Sequence, residues 1–517
     1  MQDYALTVDR FLDHGARWRP RARVVSAAGG GPDRVVGYAE VRERANRLSG
    51  ALIDLGLQPG DRIATLAWNS QDHVELWYAA MGVGMACHTL NPRLTEAQLA
   101  AMVDQAGDRL LAVGIGLADV GGRLMGLCPS LERLILLDVD QGPAGAQTLE
   151  DILARHGRPV EWGGFDERTL AGLCFTSGTT GAPKGVGYTH RSNYLHTIRS
   201  LQADAMAVTA DDAVLIAVPM FHANGWGLPF ACPAAGADMI LPGRDLDGAS
   251  LARLINTHQA TIAVGVPTVW LGLLDHLDAS GEDTPSLRRI IIGGSSCPDS
   301  LIRRMETRLG VTVQTSWGMT ELSPLGVISP PTDQPMAAQG AGRPPMGLDL
   351  LLTDEHGQSL PDQTNAVGHL KVRGQSVVHQ YWGADQPAVD SEGWFDTGDL
   401  AFVDEGGALH LAGRSKDLIK SGGEWINPVE IEEIVGALPA IGLVAVIGRV
   451  HPKWGERPVM IVEPANGQSV DDETLKAALK GRVADWWIPD QIIRVEAMPL
   501  AATGKINKTE LRAVYGV

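Results

Sequence analysis

The chain has 517 residues, more than one hydrophobic core normally organises, so two or more domains are expected. Its 44% hydrophobic and 20% charged residues describe an ordinary globular protein, and no apolar run approaches the roughly 18 residues that span a bilayer. The net charge of −18 argues against nucleic acid or an anionic membrane surface as the main partner.

The first residues, Met1-Gln-Asp-Tyr-Ala-Leu6, have no basic stretch followed by an apolar one, so a secretory leader is not expected and a cytoplasmic protein is. The five cysteines, Cys87, Cys128, Cys174, Cys232 and Cys297, are far apart and read as buried thiols in a reducing compartment. From about residue 10 to 330, strand-like apolar runs alternate with helical patterns; residues 61–67, 170–175, 213–218, 260–264 and 289–292 are examples. That texture predicts a layered α/β fold. Gly114-Ile-Gly116 opens like a dinucleotide fingerprint, but Asp119 stands where the third glycine belongs. Between about 340 and 415 the strands shorten, and residues 399–403 and 408–411 flank Asp404-Glu-Gly-Gly407, a hairpin turn. The last hundred residues read as a small α+β unit. Its first helix takes Asn427 as N-cap and Pro428 as first helical residue, and places Ile431, Ile434 and Val435 on one face.

The most informative run is Phe175-Thr-Ser-Gly-Thr-Thr-Gly-Ala-Pro-Lys184-Gly-Val186. It gathers four hydroxyls (Thr176, Ser177, Thr179, Thr180), three glycines, Gly178 among them, and Lys184 directly after an apolar strand. Glycines let backbone N–H groups approach an anion, hydroxyls add donors and the lysine adds charge, which together make a polyphosphate cradle. It is not a Walker loop, because Pro183 stands where the second glycine of that motif belongs.

This run closely resembles the phosphate loop of the adenylate-forming superfamily, which comprises acyl-CoA synthetases, luciferases and peptide-synthetase adenylation domains. The resemblance extends from about residue 60 to Lys508, and the fatty-acid and short-to-medium-chain acyl-CoA ligases look most similar. It implies an α/β fold with a large multi-subdomain N-terminal α/β region containing a β-rich part, residues 1–415. A small, mobile α+β C-terminal domain, 416–517, would follow. It also implies a two-step reaction: a carboxylate attacks the α-phosphate of ATP to give an acyl-adenylate, and the thiol of CoA then expels AMP. An acidic protein handling ATP and CoA must concentrate positive charge locally.

The resemblance assigns roles residue by residue. Trp317-Gly318-Met319-Thr320-Glu321 matches the segment in which the aromatic lies against adenine, the threonine touches the α-phosphate and the acid binds Mg²⁺. Gly293-Gly294-Ser295-Ser296-Cys297-Pro298 resembles the adenine-binding loop, whose glycines also line the acyl pocket. Asp399 would hold the ribose hydroxyls with Arg414 as a second contact, while Asp396 suits a turn-capping role. Lys505 matches the adenylation lysine, and Lys508 is expected to be a solvated surface charge. Lys416 occupies the hinge, and Ser421-Gly422-Gly423 the wall of the pantetheine channel. Pro219-Met-Phe-His222-Ala-Asn-Gly-Trp226 matches the acyl-site segment: His222 packs beside the reacting carboxylate or the thiol path, or is a satisfied structural histidine. Trp226 forms an apolar wall if the segment is helical, or belongs to the core.

The implied partners are a hydrophobic carboxylic acid, ATP and CoA, with no nucleic acid and no membrane span. Homo-oligomerisation stays open. An enzyme that loads a carrier protein and a nucleotide-sensing protein without catalysis are the alternatives; intact Lys505, Glu321 and Asp399 argue against the second.

Overall fold

Two sheets of short strands, apolar in their parallel interiors, organise the large region in the computed structural model. It describes residues 1–517 except 30, 140–141, 143–145, 177–182, 296, 332–339, 423, 466–467, 502–505 and 517. In spatial order the seven-stranded sheet runs Gln147–Thr148, Arg133–Leu136, Leu110–Val113, Arg62–Leu66, Ala86–Thr89, Leu170–Thr176 and Lys184–Thr189. All neighbours are parallel until the last pair, in which Lys184–Thr189 returns antiparallel along Leu170–Thr176. The eight-stranded sheet runs Leu325–Ile328, Thr312–Gly318, Arg289–Ile292, Ile262–Gly265, Ala213–Ile216, Asp238–Leu241, Arg23–Ser26 and Arg34–Gly37. Its two edge pairs are antiparallel and the interior is parallel. Strands this apolar need cover on both faces, as parallel sheets generally do.

Much of that cover comes from one helix, Gln71–Gly82, in which every residue is buried. Ser70 caps it by accepting from the His73 backbone N–H at 3.2 Å. Trp77 and Tyr78 pack around Phe230 of the helix Leu228–Ala235, and the Tyr78 hydroxyl donates to the Pro229 carbonyl at 2.9 Å. One continuous apolar core thereby joins residues of both sheets, from Ile63 and Leu110 to Val214, Val264 and Ile291.

The shorter strands after residue 340 form a four-stranded antiparallel sheet, Leu348–Thr353, Gly368–Gly374, Phe395–Val403 and Leu409–Arg414. Its expected hairpin is present: Asp404 N–H donates to Ala408 O at 3.0 Å and Gly407 N–H to Asp404 O at 2.9 Å. Leu348, Leu370, Val372 and Phe395 of this sheet share a core with Cys174, Tyr188 and Trp317, so the β-rich part is packed onto the strands that carry the phosphate-loop run.

The small C-terminal domain is a five-stranded sheet: Glu424–Ile426, Ile419–Ser421, Gly455–Pro464 and Ile441–His451, with Gln491–Arg494 pairing parallel to Gly455–Pro464. Helices Pro428–Gly436, Asp472–Leu479 and Lys508–Tyr515 accompany it. Asn427 caps the first by accepting from Val429 N–H at 3.1 Å, and Ile431, Ile434 and Val435 are buried as their spacing predicts. Among the described residues, its two apolar clusters are built from residues between Ile419 and Tyr515.

Four cysteines are buried and Cys297 only half so, since it sits at the exposed turn into the helix Asp299–Leu309. Among the described residues no helix is long and apolar enough to cross a membrane, and no cluster of His, Cys, Asp and Glu suits a metal ion.

Candidate active site

Three of the sequence motifs sit at the carboxyl ends of parallel strands, where α/β sheets open their crevices. Leu170–Thr176 leads into the phosphate-loop run, Arg289–Ile292 into Gly293 and Gly294, and Thr312–Gly318 carries Trp317 and Gly318 toward Thr320 and Glu321. The first is closed at its neck by the register pair Thr176↔Lys184. Ser177, Gly178, Thr179 and Thr180 lie outside the described residues, as do Ser296, Gly423 and Lys505.

The ribose-type acid is the most completely built part. Phe395–Val403 and Leu409–Arg414 place Asp399 and Arg414 directly opposite each other, and Arg414 Nε lies 2.7 Å from Asp399 Oδ1. Trp317 Nε1–H donates to Asp399 Oδ2 at 3.0 Å, and Asp399 N–H donates to Thr397 Oγ at 3.1 Å. Asp399 is 4% exposed. A buried carboxylate needs such partners, and charge-assisted bonds of this kind are the strong ones. With about four lone-pair sites, the carboxylate can still accept from a ligand hydroxyl. Asp396 is exposed and accepts from Gly398 N–H at 2.8 Å, the turn-capping duty expected of it. The indole of Trp317 has a tie that its motif gave no hint of. It is held by Asp399 and packed on Gly326, so it is a fixed rather than a free aromatic surface.

Thr320 and Glu321 are buried in a tight turn that follows Met319. The Tyr188 hydroxyl donates to Thr320 O at 2.9 Å, and the Tyr381 hydroxyl donates to Glu321 Oε1 at 2.9 Å. The Lys184 ammonium lies 4.9 Å from the centre of the Tyr381 ring, within cation–π range. Tyr188 and Tyr381 were not singled out from the sequence. Neither belongs to a motif that carries charge, and their partners are 132 and 60 residues away, respectively.

The acyl-type segment differs from its expected form. Residues Ala223–Gly227 make a tight turn in the left-handed region, with φ of 46°, 56°, 56°, 56° and 77°, instead of a right-handed helix. Left-handed backbone costs roughly 1–2 kcal/mol for each non-glycine residue. Here two of the five positions are glycine, and Ala223, Asn224 and Trp226 are held by burial. The turn points Trp226 at the adenine-type loop. A Cβ on Gly293 would stand 3.0 Å from the indole and collide with Ser316 Oγ, and one on Gly294 would stand 3.5 Å from the indole. Trp226, Gly293 and Gly294 therefore meet, as expected, although not by helical spacing. His222 is half-buried at the start of this turn, its N–H donating to Pro219 O at 3.0 Å. Ser295 is exposed beyond the glycines.

In the small domain Ser421 is buried, and Gly422 adopts a φ of 62° under the Trp454 ring, where a Cβ would come within 3.0 Å of the indole. Lys416 is exposed in the turn Ser415–Asp417. The loop holding Lys505 is bracketed by a bridge between Leu500 and Ile506 and by Asn507 N–H donating to Pro499 O at 2.8 Å. Lys508 is not a solvated charge. Its ammonium pairs with Glu432 at 2.7 Å with both side chains 18% exposed, because the helix Lys508–Tyr515 lies against the sheet beside Pro428–Gly436.

The AMP-binding enzyme profile matches residues 12–382, and the profile of the AMP-binding enzyme C-terminal domain matches residues 430–505. The chain belongs to the AMP-binding enzymes. Among the relatives of this AMP-binding enzyme is the 3-methylmercaptopropionyl-CoA ligase of Ruegeria pomeroyi, 41% identical over 99% of this chain and 97% of the relative. The medium-chain-fatty-acid–CoA ligase of Ectopseudomonas oleovorans is 39% identical over 99% of this chain and 96% of the relative. In three dimensions the ATP-bound MatB of Rhodopseudomonas palustris superposes with a TM-score of 0.85 at 27% identity, covering 98% of this chain and 99% of that one.

Proposed function

We propose that this AMP-binding enzyme activates a hydrophobic monocarboxylic acid with ATP and transfers the acyl group to CoA. The reaction class is that of an AMP-forming acid–thiol ligase, as in its relatives. A carboxylate oxygen attacks the α-phosphorus and the bond to pyrophosphate breaks. The CoA sulfur then attacks the acyl carbonyl carbon, loses its proton, and AMP departs.

The chain's own residues divide the work. Thr176, Ser177, Gly178, Thr179, Thr180 and Lys184 cradle the polyphosphate; Thr320 meets the α-phosphate. Trp317, Gly318, Met319, Gly294, Ser295 and Ser296 surround the adenine, and Asp399 with Arg414 holds the ribose. Glu321 is the residue that would hold Mg²⁺, an ion that commonly takes one or two carboxylates plus substrate phosphates. Its burial beside the Tyr381 hydroxyl, with acceptor capacity left over among the described residues, fits that donor set. Bound there, the ion offsets charge on the phosphate oxygens. Lys505 places an ammonium between the two negative reactants during adenylation. Residues 1–415 act as the large domain and 416–517 as a unit that turns about Lys416, bringing Ser421, Gly422 and Gly423 to the pantetheine path. The separate apolar cores of the small unit support that division. The five unpaired cysteines accord with a cytoplasmic setting.

The observation that carries the substrate class is the apolar corner made by Trp226 over Gly293 and Gly294, with no acid among residues 222–227. An α-ammonium brought there would be desolvated without a partner. The relatives named for 3-methylmercaptopropionyl and medium-chain fatty acyl groups take acids of the kind such a corner suits. Pyrophosphate release measured on matched pairs, hexanoate against norleucine and phenylpropanoate against phenylalanine, should favour the simple acid in both. Preference for the amino acid in both pairs would overturn the reading.

A further inference from the structure

Tyr381 lies outside every motif considered so far, yet it touches two of them at once. Its hydroxyl donates to Glu321 Oε1 at 2.9 Å, and its ring underlies the Lys184 ammonium at 4.9 Å. The surrounding segment is fastened on both sides by backbone bonds: Val378 N–H to Glu321 O at 2.7 Å and Trp382 N–H to Gly185 O at 2.7 Å. Trp382 also packs on Gly185, where a Cβ would come within 2.9 Å of its side chain, and its indole N–H donates to Gln105 O at 3.1 Å. The carboxylate and the lysine at the phosphate-loop exit thus share one phenol as a spacer.

We propose that Tyr381 is a positioning residue for the metal-binding carboxylate. Its hydroxyl fixes the rotation of Glu321, and its ring holds Lys184 beside it, so that the acid and the ammonium are preset around the polyphosphate. This rests on the reading of Glu321 as the magnesium ligand. The chemistry supports a permanent donor. A phenol hydroxyl carries its own proton at neutral pH and, facing a carboxylate that can only accept, it donates. A neutral hydroxyl beside a buried carboxylate orients it without adding a positive charge that would compete with the cation. A lysine or arginine there would neutralise the acid instead. A carboxylate left free to rotate must be immobilised when the cation binds, which weakens binding.

The test separates this proposal from the reading beneath it. Tyr381→Phe keeps the ring under Lys184 and removes only the hydroxyl; Tyr381→Leu removes both. Trp382→Phe controls for packing of the same segment. Each is compared with Glu321→Gln by the Mg²⁺ concentration needed for half-maximal pyrophosphate release at saturating ATP. Binding of Mn²⁺ in the presence of a non-hydrolysable ATP analogue, followed by electron paramagnetic resonance, gives a readout independent of turnover. Tyr381→Phe should raise both metal constants about 10-fold, the worth of a hydrogen bond to a charged group, with the ATP KM changed less. Tyr381→Leu should also raise the ATP KM, and Trp382→Phe should move neither metal constant. Unchanged metal constants in a folded Tyr381→Phe protein, alongside raised ones in Glu321→Gln, overturn the positioning role alone. Unchanged constants in Glu321→Gln overturn the magnesium assignment and this inference with it. If Tyr381→Phe does not fold, Tyr381→Leu and the Mn²⁺ titration decide on the same criterion.

Discussion

The nucleotide site and the small domain solve opposite problems. The Asp399 carboxylate is buried and already bonded: Arg414 and Trp317 hold its two oxygens, and the backbone N–H at 399 is turned onto Thr397. In the small domain Ser421 is buried, but groups around it stand at the surface. Lys416 is exposed, Trp425 is 49% exposed and Trp454 is 44% exposed. A site that must meet the same ATP each time gains from donors fixed in advance, because no reorganisation is then needed as charge develops. On the proposed reading, in which this unit presents different faces in two half-reactions, those faces cannot be permanently buried. Its own apolar cores would let it turn as a body, as proposed, without loosening Asp399.

That contrast breaks most sharply at Lys505. Lys505→Ala should lose at least about 100-fold in acyl-adenylate formation, as when a positioned electrostatic stabiliser is removed. It should still turn supplied acyl-adenylate and CoA into thioester at a near-normal rate. Equal loss in both half-reactions, measured separately, would show that the lysine is not confined to one step. Asp399→Ala comes next and acts on the fixed side. It removes the proposed hydrogen-bonding partner of the ribose and leaves Arg414 without its carboxylate, so nucleotide use should fall at least about 10-fold. Asp396→Ala, only three residues away but exposed, should leave the ATP KM within about 2-fold, because the bond it accepts from Gly398 N–H closes a local turn. Normal ATP kinetics in a folded Asp399→Ala enzyme would place the ribose elsewhere.

Much of this organisation is legible before any coordinates because its signals are local. Apolar runs ending in glycine, proline or asparagine give the strands at 62–66, 213–216 and 289–292, and Asn427-Pro428 gives the helix start. The Gly-rich and acid-bearing motifs give the residues around which the site is built. What escapes is long-range or conformational. Tyr381 meets Glu321 only because the strap after residue 377 folds back over the turn at 320. The left-handed turn at Ala223–Gly227 could not be told from a helix, since residues four apart also meet when the chain reverses around a glycine. The antiparallel return of Lys184–Thr189 is likewise hidden, because a short apolar run does not state its direction.

Lys508 is the case in which a lysine that looks bland in sequence turns out to matter, and it offers the smallest and finest test of the comparison. Burial raises the pKa of Glu432, and Lys508 is the first of the influences that pull it back, followed by the Val446 N–H that donates to the same carboxylate at 2.6 Å. Since the folded-state pKa lies above the unfolded one, the folded domain holds the proton more tightly. Glu432 therefore contributes most at low pH, and its contribution falls as pH rises through and beyond 4.5, the ordinary value for this side chain. Lys508→Met removes the compensating cation and sends that pKa higher still. The variant should lose about 2 kcal/mol at pH 8, discounted from a fully buried pair for the partial exposure of both side chains. The loss should shrink toward pH 5, where the carboxyl can take up a proton instead. Denaturant midpoints of variant and parent, followed by the fluorescence of the small-domain tryptophans at the two pH values, measure it. Because the helix Lys508–Tyr515 begins three residues after Lys505, adenylation should also slow in Lys508→Met, but by far less than in Lys505→Ala, while the ATP KM set by the fixed site stays unchanged. A pH-independent loss would mean that the helix is held by packing alone, and an altered ATP KM would mean that the two regions are not separable in the way their cores suggest.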